Sequence, residues 1–593
     1  MLDLHRLQRW THYRQVECRQ VEHPDVSGYL RLAVVVAVFA VGVACGTAVP
    51  PPDPAGDAGT GKEKTPPKEV SIATERGGKL VMSESASGNP NDPHLVITAS
   101  GRTYSMPVVN WLLKRDLYDE KFSIIGDLAT SWEASKDGRS YTFKLQQGVK
   151  YHNVAPVNGR EFTSEDAKYS LLRLTADPSV IVQKWKPRFQ RAIDFGEITS
   201  IDTPDKYTLV VNLKEPFAPF LDAVAHPGTA MLPREFVEQF PEKIILEGMI
   251  GTGPYIPVDF KARQLATYKK NPAYWKKDSQ GGQLPYLDEL TYVEFTDIQS
   301  QLAAFRSRQL DITSSGTTIT RGTRESLIKD EPRLQVFTTP TVNIMNFRFN
   351  TKFRPFEDVR VRRAIHLALD RHQFLELIAE GSGVVSGPIT PTFVDMANTM
   401  DWLLSQPGYR VDKTQDIAEA KRLLKEAGYE NGLSFNVMLS SGGVNGDVFA
   451  LLQDQLRPIN ITMKSELVDY AGQWVPRSAA QEFELSHMTH VMSTDGDSLL
   501  GAHISSEGGR NYGKFNDPTI DDLVNKQRTA TSPEERRKYG QEAEKRILEL
   551  APMVFLYSPA NVMLAQPWIH NAGDISISGG RGYMVEKAWV EKH

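Results

Sequence analysis

The sequence predicts an α/β fold, and three observations carry that reading. Short β-branched or alternating runs recur along the chain. Helix-opening signatures stand between them. The composition, 40% hydrophobic and 24% charged over 593 residues, is that of a packed globular protein. Strands are expected at Lys79–Met82, Tyr141–Leu145, Tyr207–Leu213, Leu290–Phe295 and Asn343–Phe349. Ser532-Pro533-Glu534-Glu535 is a capping box with proline at the first helical position, and opens a helix reaching to about Leu550. Asp416 with Glu419 caps IAEAKRLLKEA, which stops at Gly428, a residue suited to the left-handed turn that closes a helix. Asp370 with Gln373 opens another helix, ending near Gly381, and a further one runs from about Glu165 to Leu174. This mixture of αβ units and hairpins, without an internal repeat, points to α/β lobes. At roughly 100–200 residues per domain the length suggests about three to five domains.

Charge and cysteine content narrow the function. The net charge is -5 and the pI is near 6.3, with no long basic run, which excludes a nucleic-acid partner. The two cysteines, Cys18 and Cys45, precede the globular part. That part therefore has no disulfide, thiolate metal site or cysteine nucleophile.

The first 71 residues read as a targeting segment (1–45) and a linker (46–71). Leu32 to Ala44 is an apolar run of 13 residues behind Arg31, short for a membrane span and right for a signal-peptide core. It closes on Val43-Ala44-Cys45-Gly46. This resembles the lipobox of bacterial lipoproteins, with Gly42 in place of the usual leucine, and implies a lipid attached at Cys45. From Thr47 to about Val70 Pro, Gly, Ala and charge dominate, as in an extended tether. Gly56 to Lys62, GDAGTGK, matches seven positions of a P-loop. Glu63 stands where Ser or Thr must hold magnesium, no strand precedes the run and no helix follows, so it is rejected.

The body resembles the family 5 extracellular solute-binding proteins, the receptors of dipeptide and oligopeptide ABC importers, on segments that follow in the family's order. These are Gly77-Gly78-Lys79-Leu80, Asn89-Pro90-Asn91-Asp92-Pro93-His94, Asp127-Leu128-Ala129-Thr130-Ser131-Trp132-Glu133, the Tyr141–Leu145 strand with Gly148–His152, and Phe162–Ala167. They continue with Gly251-Thr252-Gly253-Pro254-Tyr255, Asn271–Trp275, Asp358–Ile365 with Ala368–Arg371, and Leu423–Tyr429. The resemblance implies a two-lobed periplasmic-binding-protein fold of the class II type, with an extra domain inserted in the first lobe. The central domain would take 72–112, 247–340 and 552–593, the insert 113–246 and the second lobe 341–551. The two crossings would fall near Thr339–Asn343 and Ala551–Leu556, short proline-containing segments suited to a hinge.

The chain reads as a binder and not an enzyme. It has no G-x-S-x-G elbow, no H-E-x-x-H helix and no S-x-x-K with its partner motifs. His487 and His490 could suggest a metal, but the segment reads as a strand, which would point them to opposite faces, so no metal or cofactor is expected. The resemblance implies a peptide buried between the lobes, with its terminal charges paired. Peptide-binding relatives hold the ammonium end with an aspartate just after the strand that corresponds to Leu485–Met492. The match falls on Asp495, with Asp497 behind it. Val491 and Met492 stand where those relatives carry Gly-Trp, which leaves a nickel complex, haem, an opine or an oligosaccharide as alternative ligands. Further wall candidates are Arg510 and Tyr512 after a glycine-rich loop, Trp474 as a stacking surface, and Asn89 in the loop after the first strand. The expected partners are a peptide or other small solute, ABC permease subunits and, through the lipid anchor, the outer face of the cytoplasmic membrane or the periplasm. The expected state is a monomer.

Overall fold

The computed structural model describes residues 76–591 apart from 86–91, 96–102, 117–122, 182–188, 190, 241–248, 262–263, 296, 314–318, 391–395, 442–443, 492–494 and 574–584. The signal-like segment, the tether, Cys45 and Asn89 lie outside the described residues. Strands β1 (Lys79–Ser85), β2 (Leu113–Arg115), β3 (Ile124–Gly126), β4 (Ala129–Ala134), β5 (Ser140–Leu145), β6 (Ile198–Asp205) and β7 (Thr208–Leu213) come first. They are followed by β8 (Tyr255–Lys261), β9 (Leu265–Lys270), β10 (Glu289–Phe295), β11 (Gln335–Pro340) and β12 (Asn343–Phe349). The set continues with β13 (Gly383–Val385), β14 (Leu433–Ser440), β15 (Ile461–Val468), β16 (Leu485–Val491) and β17 (Met553–Ala565).

Three larger sheets result. One has the order β1-β10-β9-β8, with β1 parallel to β10. The second, β4-β5-β7-β6, is antiparallel throughout. Its strand β5 alternates buried and less buried residues, as a sheet packed on one face requires. The third runs β11-β17-β12-β16-β14-β15, with β13 also on β17. Here β12 (NIMNFRF) is buried at almost every position, because helices and strands cover both of its faces.

Strand β17 is the element common to both halves. Its first residues pair with β12, through Met553–Tyr557, and its last with β11, through Ala560–Ala565. The side chains divide the same way. Val554 and Leu556 enter a core with Phe347, Phe356 and Leu439, whereas Met563 and Ala565 enter one with Leu80, Phe143 and Tyr292. Between them, at Pro559–Asn561, burial loosens. Two apolar cores joined through a shared strand and the β11–β12 connection make a two-lobed α/β fold.

Local chemistry accounts for the segments singled out in the sequence. Ser532 caps Pro533–Leu550 by accepting the Glu535 N–H at 3.2 Å. Asp370 accepts from His372 and Gln373 and opens Arg371–Ile378. Asp416 corrects an expectation: the helix begins three residues earlier than Ile417, as Thr414–Glu426, and Asp416 is not its cap. Its buried carboxylate accepts instead from the Gly408 N–H at 2.9 Å and from Lys413 Nζ at 3.0 Å. Gly428, at φ +86°, follows the end of that helix as expected.

Two histidines stitch the first lobe. His152 Nδ1 accepts from the Gly251 N–H at 3.4 Å, so Nε2 carries the proton and donates to the Gly253 carbonyl at 3.1 Å. A Cβ at Gly253 would lie 2.4 Å from the Val108 carbonyl carbon, so only glycine fits there. His94 Nδ1 accepts from Arg173 at 3.0 Å and Nε2 donates to the Ala230 carbonyl at 2.7 Å. Arg173, fully buried, also pairs with Asp92. Burial holds both imidazoles neutral, with pKa lowered to about 4.

Candidate functional site

The predicted acidic pair sits where the lobes meet. Asp495 and Asp497 are 6% and 8% exposed. One oxygen of Asp495 accepts the Asp497 N–H at 2.7 Å, which fixes the turn after β16. The other accepts from Arg536 at 2.6 Å. Asp497 receives the fork of Arg528, Nε at 2.7 Å and Nη2 at 3.0 Å, together with Gln527. Arg536 Nε donates to Gln527 Oε1 at 3.2 Å and ties the two pairs together.

The first lobe completes this network. Asp222, on the short helix Phe220–Val224, lies 4.0 Å from Arg536 and pairs with Arg115 at the end of β2. The Ala218 N–H donates to the Arg528 carbonyl at 2.7 Å. Charge therefore alternates across the seam: Arg115, Asp222, Arg536, Asp495. The carboxylates that the resemblance assigns to a ligand are held here by the chain's own arginines. Burial raises the Asp497 pKa more than Arg528 lowers it, and Asp495 beside it pushes the same way.

The second group of candidates forms a cationic and aromatic wall. Arg348, on β12, donates to the Arg510 carbonyl and to His503 Nδ1, each at 2.9 Å, and lies 5.4 Å over the Tyr512 ring. Burial lowers the Arg348 pKa to about 10, with Tyr512 raising it and Arg510 lowering it further. Arg191 of the first lobe pairs with Asp194 at 2.7 Å and feels the Arg510 charge. Tyr470 stacks on Trp474 at 5.6 Å and 19°. Trp474 is 4% exposed and packs on Met438, Val468 and Phe483, while Tyr470, 52% exposed, presents the outer face of the stack.

Sequence reasoning brought Asp495, Asp497, Arg510, Tyr512 and Trp474 to the second lobe. It missed Arg348, Arg528 and Arg536, and the first-lobe partners Arg191, Asp194 and Asp222. An arginine in a helical or strand pattern carries no local signal of its partner. Only the nearness of Arg528 and Arg536 to the Ser532 cap, itself legible, could have pointed to them. His487 is buried with its ring 5.0 Å from Phe347, and its pKa is lowered by burial to about 4. Among the described residues no group of three or more His, Cys, Asp or Glu could hold a metal.

Comparison with known proteins agrees with this architecture. The sequence pattern described as bacterial extracellular solute-binding proteins, family 5 Middle, matches residues 123–510. The Di/tripeptide-binding protein 2 of Pseudomonas aeruginosa is 27% identical over 482 residues, 77% of this chain and 84% of that protein. The Heme-binding protein A of Haemophilus influenzae is 28% identical over 449 residues, 72% of this chain and 77% of that protein. Among solved structures, the periplasmic binding protein DppA of Helicobacter pylori in complex with the peptide STSA superposes with a TM-score of 0.72 at 24% identity, covering 87% of this chain and 99% of that one. AgaA of Agrobacterium tumefaciens in complex with agropinic acid gives 0.69 at 25%, with 87% and 99% covered. With the two-lobed fold, the seam and a family match over most of the body, the chain belongs to the family 5 bacterial extracellular solute-binding proteins.

Proposed function

We propose that this chain is the substrate-binding lipoprotein of an ABC importer, which captures peptides between its lobes and delivers them to a membrane permease. The observation that carries the reading is the seam itself. Both lobes contribute charged side chains to it, and an alternating array of that kind can open and re-form around a zwitterion. A ligand ammonium would compete with Arg536 for Asp495, and a ligand carboxylate would meet Arg510 and Arg191. The β11–β12 connection and Pro559–Asn561 of β17 serve as the hinge between the lobes, the second a few residues beyond the Ala551–Leu556 crossing expected from the sequence. Cys45 carries the lipid and residues 46–71 tether the body. The relatives named for di- and tripeptides support the peptide assignment.

A thermal-shift screen against di- to octapeptides, sugars, haem and nickel chelates tests the ligand. Ligand at about 100 times its Kd adds about 2.7 kcal/mol to stability. The expected result is a shift with peptides that Asp495→Ala removes. A shift only with haem, sugars or chelates discards the peptide. Radiolabelled palmitate entering the wild type and not Cys45→Ser tests the anchor.

A second reading keeps the transport role with a non-peptide ligand. Val491 and Met492 in place of Gly-Trp favour it, as do the haem-named relative and the agropinic-acid complex.

A further inference from the structure

A polar cavity lies on the first lobe. It has a volume of about 700 Å³, opens to solvent, and is lined by Lys114, Asp127, Lys276, Lys277, Glu586 and Lys587 among others. A recess of about 10 Å³, room for about one water, lies beside it and shares Lys114, Asp127, Lys276 and Glu586. These residues come from four separate stretches: the β2 strand, the β3–β4 turn, the segment after β9 and the C-terminal end.

Among the described lining residues basic side chains outnumber acidic ones. Four lysines face two carboxylates. Asp127 accepts from Asn110 Nδ2 and the Trp111 N–H, each at 3.0 Å, and from the Lys276 ammonium. Glu586 is 4.0 Å from that same ammonium. Lys276 is thus the cation in contact with Asp127 and closest to Glu586, and the Lys114 ammonium makes no hydrogen bond or ion pair with a described residue. The groups whose charge reaches Lys114 are Lys276 and Lys587, which repel it, and Asp127 and Glu586, which attract it. Burial and Lys276 together lower its pKa. A partly buried ammonium in direct contact with no carboxylate is costly, and a cavity of this size lets a further anion come from solution.

We propose that this cavity binds a compact, multivalent oxyanion such as phosphate, with Lys114 as its principal ligand and Lys277 and Lys587 at its mouth. An ammonium acts on phosphate as a point charge with three donors, so several lysines around one anion suit the task without a shaped arginine fork. Anion and ammonium stabilise each other's charge, so a bound oxyanion favours the protonated form of Lys114. The site is distinct from the seam, because none of its residues contributes to the Asp495–Arg536 network.

Isothermal titration of the whole protein with inorganic phosphate, at fixed chloride, tests the proposal. The expected result is saturable binding with Kd below about 1 mM, that is, tighter than about -4 kcal/mol. Lys114→Met should weaken it at least tenfold and Lys114→Arg should restore most of it. The same Lys114→Met protein should keep its thermal response to seam ligands, so failure here is separable from failure of the transport reading. Absence of saturable phosphate binding, or binding unchanged in Lys114→Met, overturns the proposal. A melting temperature no lower than that of the wild type shows that Lys114→Met is folded. If it is lower, the phosphate-induced melting shift of Lys277→Met decides, an undiminished shift overturning the site.

Discussion

At the interlobe seam Asp495 and Asp497 lie under arginines that the chain supplies itself, whereas in the lateral cavity Lys114 has no carboxylate of its own. Both places remove charge from water. At the seam the helices around Ser532 bring Arg528 and Arg536 into fork and hydrogen-bond geometry, and Gln527 links the two pairs. In the cavity one carboxylate and one ammonium, Asp127 and Lys276, satisfy each other and leave a second ammonium over. A buried pair is worth little against an apolar replacement, but breaking one partner out of it is costly. The two sites should therefore respond to substitution with opposite signs.

The largest effect is expected at the seam. Arg528→Ala leaves Asp497 buried with Gln527 alone and with Asp495 repelling it. The loss should be about 3 kcal/mol in a urea titration, near the low end for buried pairs because the Arg528 side chain is 25% exposed. A loss under about 1 kcal/mol would mean that water reaches Asp497 freely, and the contrast with Lys114 would collapse.

A comparable effect follows from groups kept neutral by burial. His94 and His152 have pKa values lowered from 6.5 to about 4. Between those values the unfolded chain binds more protons than the native one. Their contribution is thus present above pH 6.5 and is lost as pH falls through that window, roughly 3 kcal/mol for each. Glu544 opposes this. Burial raises its pKa to about 7, so its stabilising share is present below 4.5 and lost as pH rises to about 7. Melting temperature measured from pH 4 to 7 should fall on the acid side, and the slope should be shallower in His152→Asn and steeper in Glu544→Gln.

The smaller, opposite effect belongs to the cavity. Lys114→Met should raise stability by up to about 1 kcal/mol in phosphate-free buffer, since an apolar side chain replaces an ammonium without a partner. Phosphate should erase the difference by stabilising the wild type alone. A destabilised Lys114→Met would show that Lys114 is neutralised within the fold.

Much of the fold was legible because its determinants are local. β5, β10 and β12 follow from short runs whose period and length are visible, and the helices opened by Ser532 and Asp370 follow from residues three apart. Asp416 misled for a physical reason: an acid in the first turn of a helix looks like its cap, and only the approach of Gly408 shows where the carboxylate turns. Of the seam, the acidic pair was legible by its place after β16, but Arg528 and Arg536 reach it from 31 and 41 residues along the chain. The cavity was not legible, because Lys114, Lys276 and Lys587 meet only after the first lobe has folded.

The smallest effect concerns the aromatic stack. Trp474, read from the sequence as a stacking surface, packs into Met438, Val468 and Phe483, and its indole N–H is buried without a hydrogen-bond partner. Trp474→Phe removes that unsatisfied donor and also some apolar volume, two terms of similar size and opposite sign, so stability should change by less than about 1.5 kcal/mol. Tyr470 is the member of the pair that offers a ring face outward, beside Arg510 and Tyr512. Tyr470→Ala should therefore weaken ligand binding severalfold with little loss of stability, while Trp474→Phe leaves affinity unchanged. The reverse pattern, read by titration with whichever ligand the thermal screen identifies, would place Trp474 itself against the ligand and make the stack open when the lobes part.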